Sequence, residues 1–256
     1  MNSDEAAITI DGKPAGLSAC AIKYMAIIAM LIDHIAWCFV DTYTAAGEIM
    51  HVIGRITAPV MTYFIVEGFH HTRSVNRYLL RLGIFAAVSY IPFVFMEFGT
   101  LPIVIEDGSI SVNPLQGVIY TFFLTVLSLK VRHSKTLHPF AKIAGIVGLC
   151  ILSIIGDWFC FPIVWAMLFD KYRGSFRKQA IAFAVSSVIM VTMMTAGFGG
   201  GIGDLFQYGV LLALIPMRLY NGERGKVFGK ADKWFFYVFY PLHMLILGFL
   251  KFYVFI

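Results

Sequence analysis

Two ionisable residues, Asp33 and His34, stand side by side inside an apolar stretch, Ala21 to Val40, that is long enough to cross a bilayer once. At about 1.5 Å of rise per residue, His34 lies roughly 16 Å beyond Lys23, near the centre of a hydrocarbon core about 30 Å thick. A charged side chain at that depth costs roughly 2.5 to 3.5 kcal/mol on insertion scales. A histidine titrates near neutral pH, so His34 could take a proton from a hydroxyl or an amine and return it.

The next apolar run carries two more charges and a proline. Arg55 lies in its outer third, Pro59 at mid-span, and Glu67 about one turn before the cytoplasmic end. Because a proline removes a backbone donor and kinks a helix, we expect Pro59 to open space beside Asp33 and His34. Two interpretations of Asp33 stay open: it orients or charge-balances the His34 ring, or it is only an interhelical partner of Arg55.

The predicted cytoplasmic end of this second run carries groups that bind anions. Arg73, Arg77 and Arg81 are spaced i, i+4 and i+8, which predicts three guanidinium groups on one helical face. Such a row suits the phosphates of a coenzyme A head, although cytoplasmic loops are commonly basic. The residues expected to shape the entry of a thioester are Glu67, His70 and His71.

Three further polar residues are candidates for binding. Asn113 precedes the fourth apolar run at its outer start, and Tyr240 and His243 lie inside the last run. A second histidine at mid-depth strengthens the case for a central polar pocket. His34 alone would be explained equally well as a core histidine with a satisfied ring.

The composition is that of a multi-spanning membrane protein. The chain is 59% hydrophobic and only 14% charged, against about 25% charged residues in a soluble domain, and its mean hydropathy is +0.79. Residues 1–20 are polar and do not resemble a cleaved signal, so we treat 1–256 as a single transmembrane domain with a short cytoplasmic N-terminal segment. The four cysteines show no CxxC spacing and are interpreted as small buried hydrophobes.

The apolar runs predict an all-α, polytopic helix bundle with about nine transmembrane helices, the N-terminus inside and the C-terminus outside. All but Arg55 and Lys251 of the 20 lysines and arginines fall in alternate loops, which the positive-inside rule places in the cytoplasm. The net charge of +5 therefore reflects topology and gives no support to nucleic-acid binding. The predicted spans are 22–40, 51–70, 79–96, 115–130, 140–156, 158–170, 179–197, 205–220 and 234–254.

Several familiar sites are excluded. The sequence has no HExxH metalloprotease motif and no GxSxG hydrolase motif, and we expect no metal. A GxGD segment within 197–204 is typical of aspartyl intramembrane proteases, with Asp170 as the second carboxylate. The predicted topology puts Asp170 and Asp204 on opposite sides, so this dyad is excluded and the glycine run is interpreted as a flexible outer loop.

Three segments resemble the TraX family of membrane proteins, whose best-known member is implicated in N-terminal acetylation of conjugative pilin. They are LSACAIKYMAIIAMLIDHIAWCF, RITAPVMTYFIVEGFHHTRSVNRYLLRLGIFAAVSYIPF and FYPLHMLIL. The arrangement is also similar to OafA-like O-acetyltransferases and to the lysosomal heparan glucosaminide acetyltransferase. The resemblance implies acyl-CoA bound from the cytoplasm, with His34 as the catalytic histidine and the coenzyme A head on Arg73, Arg77 and Arg81. Asp33 and the chain length depart from the OafA-like pattern, which leaves the acceptor open.

The leading hypothesis is an acetyl-CoA dependent acyltransferase in the bacterial cytoplasmic membrane, embedded among membrane lipids. His34 would act as general base or carry the acetyl group itself, and the acceptor would be a pilin-like peptide amine, a sugar or a small molecule. The oligomeric state stays open, a homodimer included. The alternative is a proton-coupled transporter that uses Asp33, His34, Glu67 and His243 as a relay, although no internal repeat supports it.

Overall fold

The structure is a computed structural model that describes residues 9–10, 13–14, 16–106, 109–197, 202–229 and 231–255. Most of the predicted polar segment 1–20 and half of the predicted glycine-run loop 197–204 lie outside these residues. Within them the chain is built of helices with two small β-hairpins, so the predicted all-α bundle is confirmed.

The helices follow the apolar runs in chain order. Strands β1 (Thr9–Ile10) and β2 (Lys13–Pro14) pair antiparallel before the first helix, and β3 (Ile103–Glu106) pairs antiparallel with β4 (Ser109–Val112) between the fourth and fifth. Short 3-10 helices cover Ser153–Ile155 and Ile202–Ala213. The α-helices are α1 (Ala19–Phe39), α2 (Ala45–Gly54), α3 (Thr57–His71), α4 (Val75–Phe98), α5 (Val118–Arg132), α6 (Pro139–Leu152), α7 (Phe161–Lys171), α8 (Phe176–Gly197), α9 (Leu214–Arg218) and α10 (Asp232–Tyr253).

Side-chain caps fix where three of these helices begin. The Ser18 hydroxyl accepts a hydrogen bond from the Ala21 amide, Thr44 accepts one from Gly47, and Ser74 accepts one from Arg77. Each cap satisfies one of the amides that a helix start leaves without a partner.

The helix lengths do not confirm the predicted number of nine spans. Five segments are long and apolar enough to cross a membrane, namely Ala19–Phe39, Ala45–His71, Val75–Phe98, Phe176–Ala196 and Trp234–Tyr253. Helices α5, α6 and α7 have only 15, 14 and 11 residues, whereas a span needs about 20. Nine complete spans are therefore not confirmed. An apolar run on its own does not distinguish a spanning helix from a short buried one, and most of α5 and α7 is buried in the bundle.

The basic loops meet at one end of the bundle, which we call the basic end. It is formed by the starts of α1, α4, α8 and α10 and the ends of α3, α5 and α7. Tyr24 on α1 donates to Asp232 on α10 at 2.8 Å, and Lys130 on α5 donates to Asn76 on α4 at 2.8 Å. The cytoplasmic location of this end remains a prediction from the positive-inside rule.

The opposite end contains the end of α1, the end of α4, the start of α5 and the turn at Gly156 and Asp157. There the Gln116 amide donates to the Ile155 carbonyl at 2.7 Å, and the Phe39 and Phe255 rings lie 5.5 Å apart. His34 lies five residues before the end of α1, which is about 8 Å along the axis. His34 lies fifteen residues after the start of α1 and five before its end, so the pair Asp33 and His34 lies in the half of α1 nearer the opposite end.

The predicted kink at Pro59 occurs four residues earlier. The second apolar segment breaks between α2 and α3 at Arg55 and Ile56, and Pro59 is the third residue of α3. In the first turn of a helix the missing proline amide costs nothing, whereas the ring excludes a helical carbonyl four residues before it. That carbonyl belongs to Arg55, so the proline favours a break at the residue that carries the charge.

A close backbone approach joins α1 to α2 at the break. A Cβ atom built at Gly54 would overlap the Asp33 side chain, whereas one at Gly148 on α6 meets nothing within 4 Å. We expect Gly54→Ala to destabilise the protein by about 1 to 3 kcal/mol through overpacking. Thermal unfolding in detergent measures the effect.

Gly148→Ala is the matched control for this substitution. Because it adds a methyl group in open space within a helix, it should leave stability unchanged or raise it by about 0.5 to 1 kcal/mol. Equal unfolding temperatures for the two variants would contradict the close packing of Gly54 against Asp33.

Candidate functional site

Asp33 is held in a buried ion-pair network between α1 and the α2–α3 break. Its Oδ1 accepts a hydrogen bond from His51 Nδ1 at 2.8 Å, and its Oδ2 pairs with Nη2 of Arg55. Asp33 is 6% exposed and His51 is fully buried. Both carboxylate oxygens are taken by these partners, so among the described residues Asp33 does not orient the His34 ring through a hydrogen bond.

The Arg55 guanidinium is also fixed from the other side. Its Nη1 donates to Gln207 Oε1 at 3.3 Å, and its Cζ lies 4.8 Å from the centre of the Trp158 ring and 5.6 Å from that of Phe206. The aromatic faces stabilise a cation that has lost most of its water. Of the two interpretations of Asp33, the interhelical partner of Arg55 is the one that the contacts match.

His34 forms a hydrogen-bonded chain with the last helix. Its Nδ1 lies 2.7 Å from Nε2 of His243, and Nδ1 of His243 lies 2.8 Å from the Phe239 carbonyl oxygen. The two imidazole rings are stacked with their centroids 5.0 Å apart. The two histidines that the sequence places at mid-depth are thus in direct contact.

This chain determines where the protons sit when both rings are neutral. A carbonyl only accepts, so Nδ1 of His243 must carry a proton and donate it. Nε2 of His243 then accepts from Nδ1 of His34, which leaves a lone pair on Nε2 of His34. Among the described residues no hydrogen bond occupies that atom. His34 therefore has the tautomer of a general base.

A cavity of about 310 Å³ lies beside His34 at the opposite end. Apolar walls come from Trp37, Phe93 and Trp158. Its polar lining includes Asp33, His34, Arg55, Glu97, Gln116 and Asp157.

Asp157 is a second proton-exchanging group on this cavity. Burial raises the pKa of Asp157 to about 7, and the nearby carboxylates add to the rise while the Arg55 guanidinium opposes it. Desolvation penalises the charged carboxylate, so this group changes its proton occupancy near neutral pH. The cavity lining thus contains both a base, His34, and a carboxyl group, Asp157, that can gain or lose a proton.

The structure separates the predicted site residues into two groups. Asp33, His34, Arg55 and His243 come together, and Tyr240 lies next to them, 2% exposed, where its hydroxyl accepts from the Val118 amide at 3.2 Å. Asn113 lies in the turn before α5 and does not line the cavity: its Oδ1 accepts from the Leu115 amide and its carbonyl accepts from Tyr90.

The other predicted residues lie at the basic end and are engaged there. Glu67 binds Arg173 through two contacts of 3.0 and 3.2 Å. His71 donates to the Glu67 carbonyl at 2.8 Å, and His70 contacts Asp170 at 2.7 Å. These residues are therefore far along the bundle from His34.

The prediction of three arginines on one helical face is wrong. Helix α4 begins at Val75 after the Ser74 cap, so Arg73 lies in the preceding loop and only Arg77 and Arg81 share a helical face. The spacing of the three residues fits a helix, but the capping serine ends that pattern before it reaches Arg73.

Sequence reasoning missed His51, Glu97 and Gln207. A signal existed for His51, which precedes Arg55 by four residues, so both side chains can face one neighbour on a helix. No such spacing exists for Gln207 or Glu97, which reach the site only through tertiary packing.

The Asp33–Arg55 pair provides a test of the network. Asp33→Asn should destabilise the protein by about 3 to 5 kcal/mol, because it leaves a buried guanidinium without its counter-ion. The double variant with Arg55→Met should lose less than the sum of the two single variants, with a coupling of about 0.5 to 3 kcal/mol. Denaturant unfolding in detergent measures all three.

The control for this cycle is the pair of Glu67 and Arg173 at the basic end. The Arg173 side chain is 38% exposed, so Glu67→Gln should cost at most about 1 kcal/mol. Strict additivity of the Asp33 and Arg55 variants would show that the buried pair is not coupled.

Comparison with known proteins identifies the family. Residues 18–251 match the family described as TraX protein. The chain is 29% identical over 240 residues to the probable fimbrial assembly protein FimC, serogroup H1, of Dichelobacter nodosus, in an alignment that covers 90% of this chain and 94% of that protein. No solved structure matches the chain. Apart from Leu17, the family match includes all three segments that carry the resemblance in the sequence. On this evidence the protein belongs to the TraX family.

Proposed function

We propose that this protein is an integral membrane acyltransferase that moves an acetyl group from acetyl-CoA to an amine or hydroxyl of an acceptor. The main support is the hydrogen-bonded chain from His34 through His243 to the Phe239 carbonyl. It leaves the Nε2 lone pair of His34 beside a cavity. A positioned base of this kind accelerates proton transfer by about 10² to 10⁴-fold.

His34 receives one proton during the reaction and returns it. Nε2 of His34 takes the proton from the acceptor as its nitrogen or oxygen attacks the thioester carbonyl carbon. The new carbon–nitrogen or carbon–oxygen bond forms, the carbon–sulfur bond breaks, and the leaving thiolate takes the proton back from His34. While His34 is charged, Nε2 of His243 accepts a hydrogen bond from its Nδ1, which stabilises the imidazolium.

The basic end supports acetyl-CoA as the donor. Lys23 lies 11 positions before His34 on α1, which is about three helical turns and the same face. Its ammonium lies 5.3 Å from the Phe64 ring centre and 5.9 Å from that of Phe236. An extended cofactor along this face would place its anionic head near the arginines and its thioester toward His34. The apolar bundle would limit hydrolysis of that thioester by excluding water.

The acceptor we propose is a subunit of a surface fibre. The relative from Dichelobacter nodosus is named a probable fimbrial assembly protein, which supports a pilin-processing role for this chain. The enzyme would lie in the bacterial cytoplasmic membrane with the basic end inside. The acceptor would then reach the His34 cavity from the opposite end.

The proton-coupled transporter is the weaker alternative. Two members of its proposed relay, Asp33 and Glu67, are held in ion pairs with Arg55 and Arg173. A relay through these two carboxylates would first have to break both ion pairs.

Removing the base tests the acyltransferase. Purified protein is incubated with radiolabelled acetyl-CoA and a membrane extract, and labelled product is counted. His34→Ala should lower acetyl transfer about 10² to 10⁴-fold, because the acceptor loses its general base. His138→Asn is the control, since it replaces an exposed histidine at the start of α6 by a residue that also caps a helix.

Two outcomes would overturn the proposal. Wild-type protein that neither binds coenzyme A nor transfers acetyl groups removes its basis. Uptake driven by a pH gradient in proteoliposomes, lost in Asp33→Asn, would favour the transporter.

A second prediction concerns His243 as a positioning residue. His243→Ala removes the acceptor of the His34 Nδ1 hydrogen bond, so the wrong His34 tautomer becomes populated. We expect kcat to fall by a smaller factor than in His34→Ala, with little change in KM. His243→Gln, whose amide oxygen also accepts a hydrogen bond, should recover part of the lost kcat. An unchanged kcat in His243→Ala would contradict this role.

A further inference from the structure

Three residues from three helices converge at the basic end, far from His34. His70 is the second-last residue of α3, His133 caps the end of α5, and Asp170 is the second-last residue of α7. Nε2 of His70 lies 2.7 Å from Oδ1 of Asp170, and Nε2 of His133 lies 3.0 Å from the same oxygen. The three ligand atoms lie within 4.8 Å of one another.

These three residues are preorganised by contacts outside the cluster. Nε of Arg132 binds the other oxygen of Asp170 at 2.9 Å, and its Nη1 donates to the Met167 carbonyl at 3.0 Å. The Phe69 ring packs against both imidazoles, with centroids 5.5 and 5.4 Å away. Nε2 of His133 also lies 2.9 Å from that second oxygen. The carboxylate is thus held with Oδ1 between the two histidines and Oδ2 shared by His133 and Arg132, as outer hydrogen bonds orient a metal ligand.

The helix ends at the cluster favour a cation locally, and they oppose the repulsion from Arg132 and the other basic side chains of the basic end. Helices α3, α5 and α7 all end here, and the C-terminal end of a helix carries partial negative charge. The Asp170 side chain is only 3% exposed, whereas His70 and His133 are 25% and 43% exposed. An ion arriving from solvent would therefore meet the imidazoles first and the buried carboxylate last.

We propose that His70, His133 and Asp170 form a binding site for a divalent transition metal of the Zn²⁺ type. Two imidazole nitrogens and one carboxylate oxygen are ligands that Zn²⁺ prefers, and a fourth position would be open to water. Mg²⁺ and Ca²⁺ are disfavoured because they require mainly oxygen ligands. Each imidazole would bind the metal in its neutral form, with its proton on Nδ1, and protons compete with the metal for these nitrogens, so affinity should fall as the pH is lowered. The sequence carries no metal motif because the three ligands are 63 and 37 positions apart.

Metal binding by the full-length protein in detergent tests this site, with any affinity tag removed. Zn²⁺ is titrated against a chromophoric chelator, and Co²⁺ absorption reports the coordination geometry. We expect one Zn²⁺ per chain, a tetrahedral Co²⁺ spectrum, and no binding of Mg²⁺. His133→Ala should abolish binding, and its exposed side chain makes it the variant that is best tolerated by the fold. Asp170→Asn should also abolish binding.

The control is His71→Ala, which removes the histidine next to His70, whose side chain is 69% exposed. It should bind Zn²⁺ like the wild type. Absence of Zn²⁺ binding in wild-type protein, or binding that survives His133→Ala, would overturn the site. Neither result affects the acyltransferase proposal, because the proposed base His34 lies toward the opposite end of the bundle from this cluster.

Discussion

The organising constraint of this molecule is that a charged group surrounded by apolar helices must find its partner inside the bundle. Asp33 meets this constraint with two partners from one segment, His51 at the end of α2 and Arg55 at the break before α3. The cost of an uncompensated charge in hydrocarbon is so large that this pairing fixes how α1 packs against the broken segment. Gly54 permits the approach, and Trp158 and Phe206 cover the guanidinium.

That arrangement divides the adjacent pair in an informative way. Neighbouring helical positions differ by about 100°, so Asp33 faces α2 while His34 faces α10. The carboxylate serves the architecture, and the imidazole is left with a neutral partner and an open nitrogen. Because Asp33 is paired with His51 and Arg55, the hydrogen-bond partner of His34 is His243, which in turn donates to the Phe239 carbonyl.

The sequence was sufficient for features that depend on one segment alone. The apolar run around Asp33 and His34 and the family resemblance could both be read from consecutive residues. Features that depend on two segments could not. Asp33 pairs with His51 and His34 pairs with His243, and no local sequence pattern predicts either contact. The prediction of an arginine row was wrong for a local reason, the Ser74 cap. The predicted nine spans are not confirmed, because α5 and α7 are short and largely buried in the bundle.

The hydrogen bond between His34 and His243 joins positions 209 residues apart. A chain made from its N-terminus contains His34 long before it contains His243, so the base acquires its orientation only once α10 packs against α1. Until then the His34 imidazole lacks the partner that fixes its tautomer. The geometry of the base therefore depends on the docking of a helix that is made much later than its own.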